Sequence, residues 1–159
     1  MFAVLLGIVV IIMCCATTPE THLNPQRTSA VIPAPKDKVW PLVVAEVGLR
    51  YPIQAIEKDS GLISTQFVRI PVGYNNTGWE EYVFPPKCFL CTWDGLRMAL
   101  RIFVIEAGPQ KTSVIIKAHY EAFEDNVSHS WVVVRSNGAL ENFILTNIER
   151  KINSKQKAK

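Results

Sequence analysis

Two neighbouring segments in the second half of the chain alternate apolar and polar residues with the period of a β-strand. In RMALRIFVI (97–105) the apolar side chains fall mainly on one face and the two arginines on the other, and TSVIIKAHYEAF (112–123) alternates in the same way. The intervening EAGPQK (106–111) supplies turn residues. We therefore predict an antiparallel hairpin with one buried and one solvated face. In a register that sets Arg97 opposite Glu121, this ion pair would contribute only about 0.2 to 1 kcal/mol.

Two other segments repeat apolar residues at the spacing of an α-helix. In KDKVWPLVVAEVGLR (36–50), Pro41 fits only in the first turn, where backbone N–H groups have no helical partner, so this helix cannot begin much before Asp37. A longer apolar stripe runs through SNGALENFILTNIERKINSKQKAK (136–159), whose first two residues can cap a helix. The stripe consists of Leu140, Phe143, Ile144, Ile148 and Ile152.

Extended segments also occupy the first half of the chain. SAVIPAP (29–35) indicates a short strand that ends at two prolines, because proline cannot donate to a β-ladder. YPIQAIEKDSGLISTQFVRI (51–70) indicates a hairpin whose turn is KDSG. In that turn Gly61 can adopt the positive φ that other residues avoid.

The remaining segments complete the predicted fold. The segment 71–96 is dense in Gly, Pro and aromatic residues, which predicts a long loop with one short strand at 81–84, and SWVVVR (130–135) predicts a further strand. A sheet with one apolar face needs a cover, and the C-terminal helix with its single apolar stripe can provide it. We predict an α+β, helix-grip domain at 29–159, in which a curved antiparallel sheet packs against the long C-terminal helix.

The chain opens on thirteen uninterrupted apolar residues, MFAVLLGIVVIIM. This run is shorter than the roughly 20 residues of a bilayer span and is typical of an export signal. If Cys15 accepts a lipid, Ile12 and Cys14 fill the aliphatic and small positions of a bacterial lipoprotein signal, whereas Cys14 as acceptor would follow the large Met13. We predict a lipoprotein signal peptide at 1–15 with lipidation at Cys15. An uncleaved short anchor, ordinary cleavage and a misread start codon are the alternatives.

The residues after the cysteines predict how the domain is held. Residues 16–28 are rich in Thr and Pro and show no apolar period, so they predict a flexible tether. A multiply acylated cysteine would hold the protein on the membrane without a spanning helix. Ala16, rather than Asp, follows Cys15, and in bacterial lipoproteins this is typical of the outer membrane. The predicted location is therefore the cell envelope, anchored in the outer membrane and facing the periplasm.

Two stretches resemble the helix-grip domains of BamC (NlpB)-like outer-membrane lipoproteins. VWPLVVAEVGLRYPIQAIEKDSGLISTQFV (39–68) resembles their segment of helix, strand, Gly turn and strand, and WVVVRSNGALENFILTNIERKI (131–152) resembles their C-terminal helix. This resemblance implies an accessory lipoprotein without catalytic residues. VIPAPKDKVWPLV (31–43) also resembles the opening of START-like, Bet v 1-type domains, which implies a cavity for an apolar ligand between the sheet and the C-terminal helix.

Cys88 and Cys91 have the Cys-x-x-Cys spacing, which occurs in several kinds of site. A thioredoxin-like pair would open a helix in a βαβ unit, but here Pro85 and Pro86 precede the pair and no parallel-sheet pattern lies nearby. A structural zinc site needs four ligands, and the three histidines are not spaced as partners. We predict a disulfide that staples the loop or a pair of idle thiols, with redox activity and metal binding as alternatives.

The long loop region carries a group of aromatic residues. They can fill the open edge of a small sheet, or they can form a surface that recognises a partner, since aromatic residues are enriched at the centres of interfaces. Both interpretations stay open at the level of sequence. The group consists of Tyr74, Trp79, Tyr82, Phe84, Phe89 and Trp93.

Other signs of chemistry are weak. His119 falls on the solvated strand face, no Ser or Cys has a base at a recognisable spacing, and no glycine-rich phosphate loop occurs. Much of the net charge of +3 lies in the tail 150–159, and GWEEYVF (78–84) is acidic where nucleic-acid binding would need basic residues. We predict no enzymatic activity, cofactor, metal or nucleic-acid partner. The predicted function is an accessory or scaffold role through contacts with an envelope protein, and the alternative is a START-like carrier of a small apolar ligand.

Overall fold

The structure is a computed structural model that describes residues 26–73, 78–88 and 90–157. The predicted signal peptide, Cys15 and most of the tether lie outside these residues. Residues 26–28, predicted as the end of the tether, contact the domain: the Gln26 N–H donates to the Asn137 carbonyl oxygen at 2.9 Å, and Arg27 pairs with Glu149 at 2.8 Å. The folded domain therefore includes at least three residues before the predicted start at Ser29.

Within the described residues, seven strands form one antiparallel sheet and two α-helices pack against it. In chain order the elements are β1 (Ser29–Ile32), α1 (Lys36–Gly48), β2 (Ile53–Glu57), β3 (Leu62–Thr65), β4 (Val68–Ile70), β5 (Trp93–Gly108), β6 (Lys111–Glu124), β7 (Ser130–Val134) and α2 (Ala139–Lys157). The strand order is β1-β6-β5-β3-β2, with β4 also paired to β5 and β7 to β6. The predicted α+β fold, an antiparallel sheet packed against the C-terminal helix, is confirmed.

The β5–β6 hairpin is the centre of the sheet and has the register in which Arg97 can pair with Glu121. Arg97 lies opposite Glu121, and Ile102 lies opposite Ile116. The apolar face is buried against the two helices, as the alternation predicts. Fully buried side chains of this face include Leu96, Leu100, Ile102, Val104, Val114, Ile116 and Tyr120.

The long C-terminal helix α2 packs its apolar stripe against the sheet. Ile144 and Ile148 are fully buried and Ile152 is nearly so, which confirms this part of the predicted stripe. Phe143 differs, because 47% of its surface is exposed, and Leu145 is fully buried although the predicted stripe omits it. The buried face is therefore rotated slightly from the one that spacing alone predicts.

Both predicted capping residues contribute to the start of α2. The Asn137 side-chain oxygen accepts the N–H of Ala139 at 2.9 Å. The Ser136 hydroxyl accepts the N–H of Gly138 at 3.0 Å and donates to the Glu141 carboxylate at 2.8 Å. These bonds satisfy backbone and side-chain groups that would otherwise be unpaired at the helix terminus.

The first helix departs from the expectation for proline. Helix α1 begins at Lys36, so Pro41 lies beyond its first turn, inside the helix. Pro41 removes the bond that its N–H would make to the carbonyl of residue 37. Both Pro41 and Asp37 are exposed, and water can therefore reach the carbonyl that this proline leaves without a helical donor.

The predicted strand at 81–84 is wrong. The chain forms a short 3₁₀-helix at Trp79–Glu81, and Val83 makes only a single β-bridge, with Ser136. Strand β5 begins at Trp93, earlier than its alternation indicates. Trp79 and Val83 are both fully buried, so packing of these side chains rather than strand pairing fixes the segment.

Candidate functional site

The sheet face opposite the two described helices carries a group of polar and aromatic side chains. Its side chains alternate with the buried ones along β5 and β6, and the segment between β3 and β4 adds one aromatic ring. We call this surface the open face. It consists of Leu62, Ser64, Phe67, Arg69, Arg97, Ala99, Arg101, Phe103, Lys117, His119, Glu121, Phe123 and Trp131.

One half of the open face is an ordered stack around Arg97. The Arg97 guanidinium lies 4.0 Å from the Trp131 ring centroid and 4.6 Å from that of Phe67. Its Nε donates to a Glu121 carboxylate oxygen at 2.7 Å, and the other Glu121 oxygen lies 3.1 Å from Nε2 of His119. Arg97 is thus held by one carboxylate and two rings, which gives it a structural role.

The same contacts set the protonation of Glu121. Burial would raise the pKa of its carboxyl, but the hydrogen bonds and charges of Arg97 and His119 outweigh burial and hold the pKa below its usual value. Glu121 is therefore ionised and neutralises Arg97.

The other half of the open face is a groove of about 950 Å³. Leu62, Ala99 and Phe103 contribute apolar surface to it. Arg101 and Lys117 line it with their side chains, and the Lys117 ammonium lies 5.8 Å from the Phe103 ring centroid. The groove therefore combines an apolar floor with two cations, a combination that suits an amphipathic ligand.

The two cations of the groove lie directly opposite each other on β5 and β6, at the pair Arg101 and Lys117. Like charges at opposed positions of an antiparallel pair destabilise it. Arg97 also lies opposite a cation, Arg69, but Glu121 compensates it. Among the described residues, neither Arg101 nor Lys117 has an ion-pair partner, so the groove carries a net positive charge.

The space between the sheet and α2 is filled by side chains. Tyr120, Ile116, Leu145 and Ile148 are all fully buried there. These side chains pack directly between the sheet and α2. A crevice of about 410 Å³ lies elsewhere, between the start of α1 and the end of α2, and is open to the surface.

A buried polar cluster ties the two helices together on the other side of the sheet. Glu46 is 2% exposed and accepts bonds from Lys151, from Asn147 at 3.0 Å and from Arg50 at 3.2 Å. Burial alone would raise the pKa of Glu46, but these bonds and the two positive charges hold the pKa below its usual value. The four groups satisfy one another, which indicates a structural role.

The loop between β6 and β7 is built around another carboxylate, that of Glu124. Its oxygens accept the backbone N–H groups of Asn126 at 2.8 Å, Val127 at 3.0 Å and Ser128, and also the Ser128 hydroxyl at 2.9 Å. These donors, above all Ser128, lower the pKa of Glu124 to about 2. The ionised carboxylate thus holds the loop in its turn.

We expect Glu124→Gln to destabilise the protein in a pH-dependent way. Because the folded pKa lies below the unfolded one, the stabilisation is fully present above the unfolded pKa and is lost as the pH falls toward about 2. At pH 7 the variant should therefore melt at a lower temperature than the wild type. This difference in melting temperature should become smaller between about pH 5 and pH 3. Thermal unfolding followed by circular dichroism measures the two melting temperatures. Glu106→Gln, an exposed carboxylate on the same hairpin, is the control, and an equal loss in both variants would contradict the assignment.

The predicted aromatic group does not lie on one exposed surface. Trp79 is fully buried and Trp93 is 5% exposed, and their rings pack edge to face with centroids 6.2 Å apart. Tyr82 and Phe84 are half-buried, with Arg135 over the Phe84 ring. The two tryptophans thus take the filling role that the sequence left open, and Tyr74 and Phe89 lie outside the described residues.

Cys88 and Cys91 are joined by a disulfide, with their Cα atoms 5.4 Å apart. Cys88 is exposed and Cys91 is half-buried against the core. Neither lies in the groove of the open face. The absence of redox activity stays a prediction, as does lipidation at Cys15, which lies outside the described residues.

None of the helices among the described residues has both the length and the apolar character needed to cross a bilayer. Groups of three or more His, Cys, Asp or Glu side chains arranged to hold a metal ion are likewise absent from the part of the chain that the structure describes.

The groove is the part of the site that sequence reasoning missed. Arg101 and Lys117 both fall on the predicted solvated face, but each is an ordinary surface cation when read along its own strand. The signal lies in the register: extending the pairing of Arg97 with Glu121 by four residues places Arg101 opposite Lys117.

Fold and site together define a small α+β domain with an electropositive groove on the sheet face opposite the two described helices. No protein-family model matches the chain, and no curated protein sequence matches it either. The resemblances to BamC-like and START-like domains therefore stay predictions.

Proposed function

We propose that this protein is a non-enzymatic lipoprotein of the bacterial cell envelope that binds a partner protein through the groove of its open face. The observation that carries the proposal is the pair of Arg101 and Lys117 beside an apolar floor, a pair that has no ion-pair partner among the described residues. Like charges directly opposite each other on neighbouring strands destabilise the sheet. A bound partner of opposite charge supplies that compensation.

Two further observations support the proposal. The packed interior beneath α2 favours contact at the surface over carriage of an apolar ligand within the domain. The apolar leader followed by Cys15 supports a lipid anchor, which would leave the groove free to face a partner in the periplasm.

The anchor is tested by comparing Cys15→Ser with Cys14→Ser in cells fed an alkyne-labelled fatty acid. We expect the label and the membrane association to disappear in Cys15→Ser and to persist in Cys14→Ser. Labelling of Cys15→Ser equal to that of the wild type would contradict lipidation at this residue. A protein that is soluble and unprocessed in the cytosol would contradict the envelope location.

The contact surface is tested by placing a photo-crosslinking amino acid at position 64, in the groove opposite Arg101, and at position 153, on the exposed side of α2. We expect a discrete crosslinked protein from position 64 and none from position 153, because only Ser64 lines the groove and its replacement leaves both cations in place. Equal products from both positions, or none from position 64, would contradict a role for the open face.

A further inference from the structure

We infer that the groove of the open face recognises an extended acidic segment of its partner, one in which carboxylates alternate with apolar side chains. This inference rests on the proposed function and names the chemistry of the partner. Three observations support the inference: the positive charge of the groove, the apolar floor and length of the groove, and the contacts that the neighbouring aromatic rings already make within the protein.

The positive charge of the groove favours binding of an anion. The side chains of Arg101 and Lys117 are exposed, lie at opposed positions on neighbouring strands, and have no carboxylate partner among the described residues. The nearest carboxylate that lines the groove, Glu121, is bonded to Arg97 and His119. An incoming carboxylate would relieve the repulsion between the two cations and form charge-assisted hydrogen bonds with both.

The floor and the dimensions of the groove suit an extended peptide. From Ala55 on β2 to Lys117 on β6 the groove crosses three strand spacings, about 14 Å, which is the length of about four extended residues. Alternate side chains of such a peptide point to the same side. The carboxylates on one side of the peptide can therefore reach the two cations, while the apolar side chains on its other side contact Leu62 and Phe103.

The rings beside the groove argue against a nucleic-acid strand. Single-stranded nucleic acids bind by stacking their bases on open aromatic faces. The Trp131 ring centroid lies 4.0 Å from the guanidinium of Arg97 and 5.9 Å from that of Arg69, and the ring packs edge to face with Phe123. Phe67, which lines the groove, contacts Arg97 and His119. Both rings thus have contacts within the protein that a stacking base would have to replace or share, which favours a peptide over nucleic acid.

The inference is tested by fluorescence anisotropy with the full-length protein in detergent micelles. The probe is a fluorescein-labelled Glu-Val-Glu-Val-Glu-Val peptide, and the comparison ligands are the Lys-Val analogue and a six-nucleotide oligothymidylate. We expect the wild type to bind the acidic peptide and not the basic one, with weaker binding at higher salt. The double variant R101Q/K117Q should weaken this binding about tenfold or more.

The matched control is the double variant K38Q/K155Q, which removes the same charge from the helix side of the domain. Both residues are exposed there and line the crevice between α1 and α2 rather than the groove. We expect it to bind the acidic peptide within about twofold of the wild type. Equal weakening in both double variants would overturn the inference, because it would show attraction by net charge alone.

A charge reversal separates recognition from folding. Lys117→Glu replaces the repulsive pair with an attractive one opposite Arg101, so it should raise the melting temperature by about 1 to 4 °C while abolishing peptide binding. A correctly folded Lys117→Glu protein that still binds the acidic peptide would overturn the inference.

The remaining outcomes distinguish this inference from the proposed function. If the wild type binds the oligothymidylate more tightly than the peptide, and R101Q/K117Q no longer binds the oligothymidylate, the groove is a nucleic-acid site and the inference fails. If no acidic peptide binds but position 64 still crosslinks a protein in cells, the acidic segment is wrong and the proposed function stands. If the crosslink is also absent, both fail.

Discussion

Gly61→Ala is expected to destabilise the protein by about 3 to 5 kcal/mol. Gly61 ends the β2–β3 turn with a φ of +74°, a conformation that L-residues with a side chain rarely adopt. A Cβ at this position would also collide with the carbonyl oxygen of Val104, a backbone atom in the central hairpin that cannot move aside. The collision adds to the conformational cost, because the Gly61 carbonyl accepts the N–H of Val104 at 2.8 Å and holds the two backbones together.

Urea unfolding followed by circular dichroism measures this loss, and Gly78→Ala is the matched control. Gly78 has a similar φ of +79°, but a Cβ there would meet nothing within 4 Å. We expect the control to lose only the conformational term, about 1 to 2 kcal/mol. Equal losses in both variants would show that the contact between the turn and β5 does not constrain residue 61.

Trp79→Ala is expected to destabilise the protein by about 3 to 5 kcal/mol, because it empties a fully buried site in the core. Trp79 packs against Trp93, so the substitution also removes their edge-to-face contact. The Trp79 Nε1–H has no acceptor among the described residues. Trp79→Phe should therefore cost less than Trp79→Ala, since it retains an aromatic ring and removes a buried donor that makes no bond.

The same unfolding experiment distinguishes the two roles that the sequence leaves open for the aromatic group. Phe84→Ala is the control, because Phe84 is half-buried beneath Arg135 and its removal should cost less than that of Trp79. A Trp79→Ala protein as stable as the wild type that no longer binds its partner would contradict the filling role and indicate a recognition surface.

Local periodicity predicted much of the fold. The alternation in β5 and β6 fixes which side chains face the core, because successive residues of a strand point to opposite sides. The two polar turn signals then locate the hairpins, whereas the pairing of Arg97 with Glu121 also depends on a register shift between Glu106 and Gly108. The stripe of α2 is predictable for the same reason, since three of its residues recur with the period of the helix and are buried.

Elements without a local period were not predictable in this way. The segment around Trp79 contains β-forming residues but folds as a 3₁₀-helix, because burial of Trp79 against Trp93 outweighs the preference for a strand. The apolar spacing of α1 does not predict whether Glu46 is buried or exposed. Its burial depends on hydrogen bonds from Lys151 and Asn147 of the other helix. Both outcomes depend on residues distant in the chain.

The sequence by itself determined the class of fold, the two central strands with their faces and the closing helix, because these depend on spacing between near neighbours. Only the tertiary structure decided the groove. Arg101 and Lys117 become a site because they lie opposite each other on two strands, on the sheet face away from the described helices, and because Glu121 is bonded to Arg97. Charges interact through space, and their compensation depends on every group within reach rather than on the neighbours in the chain.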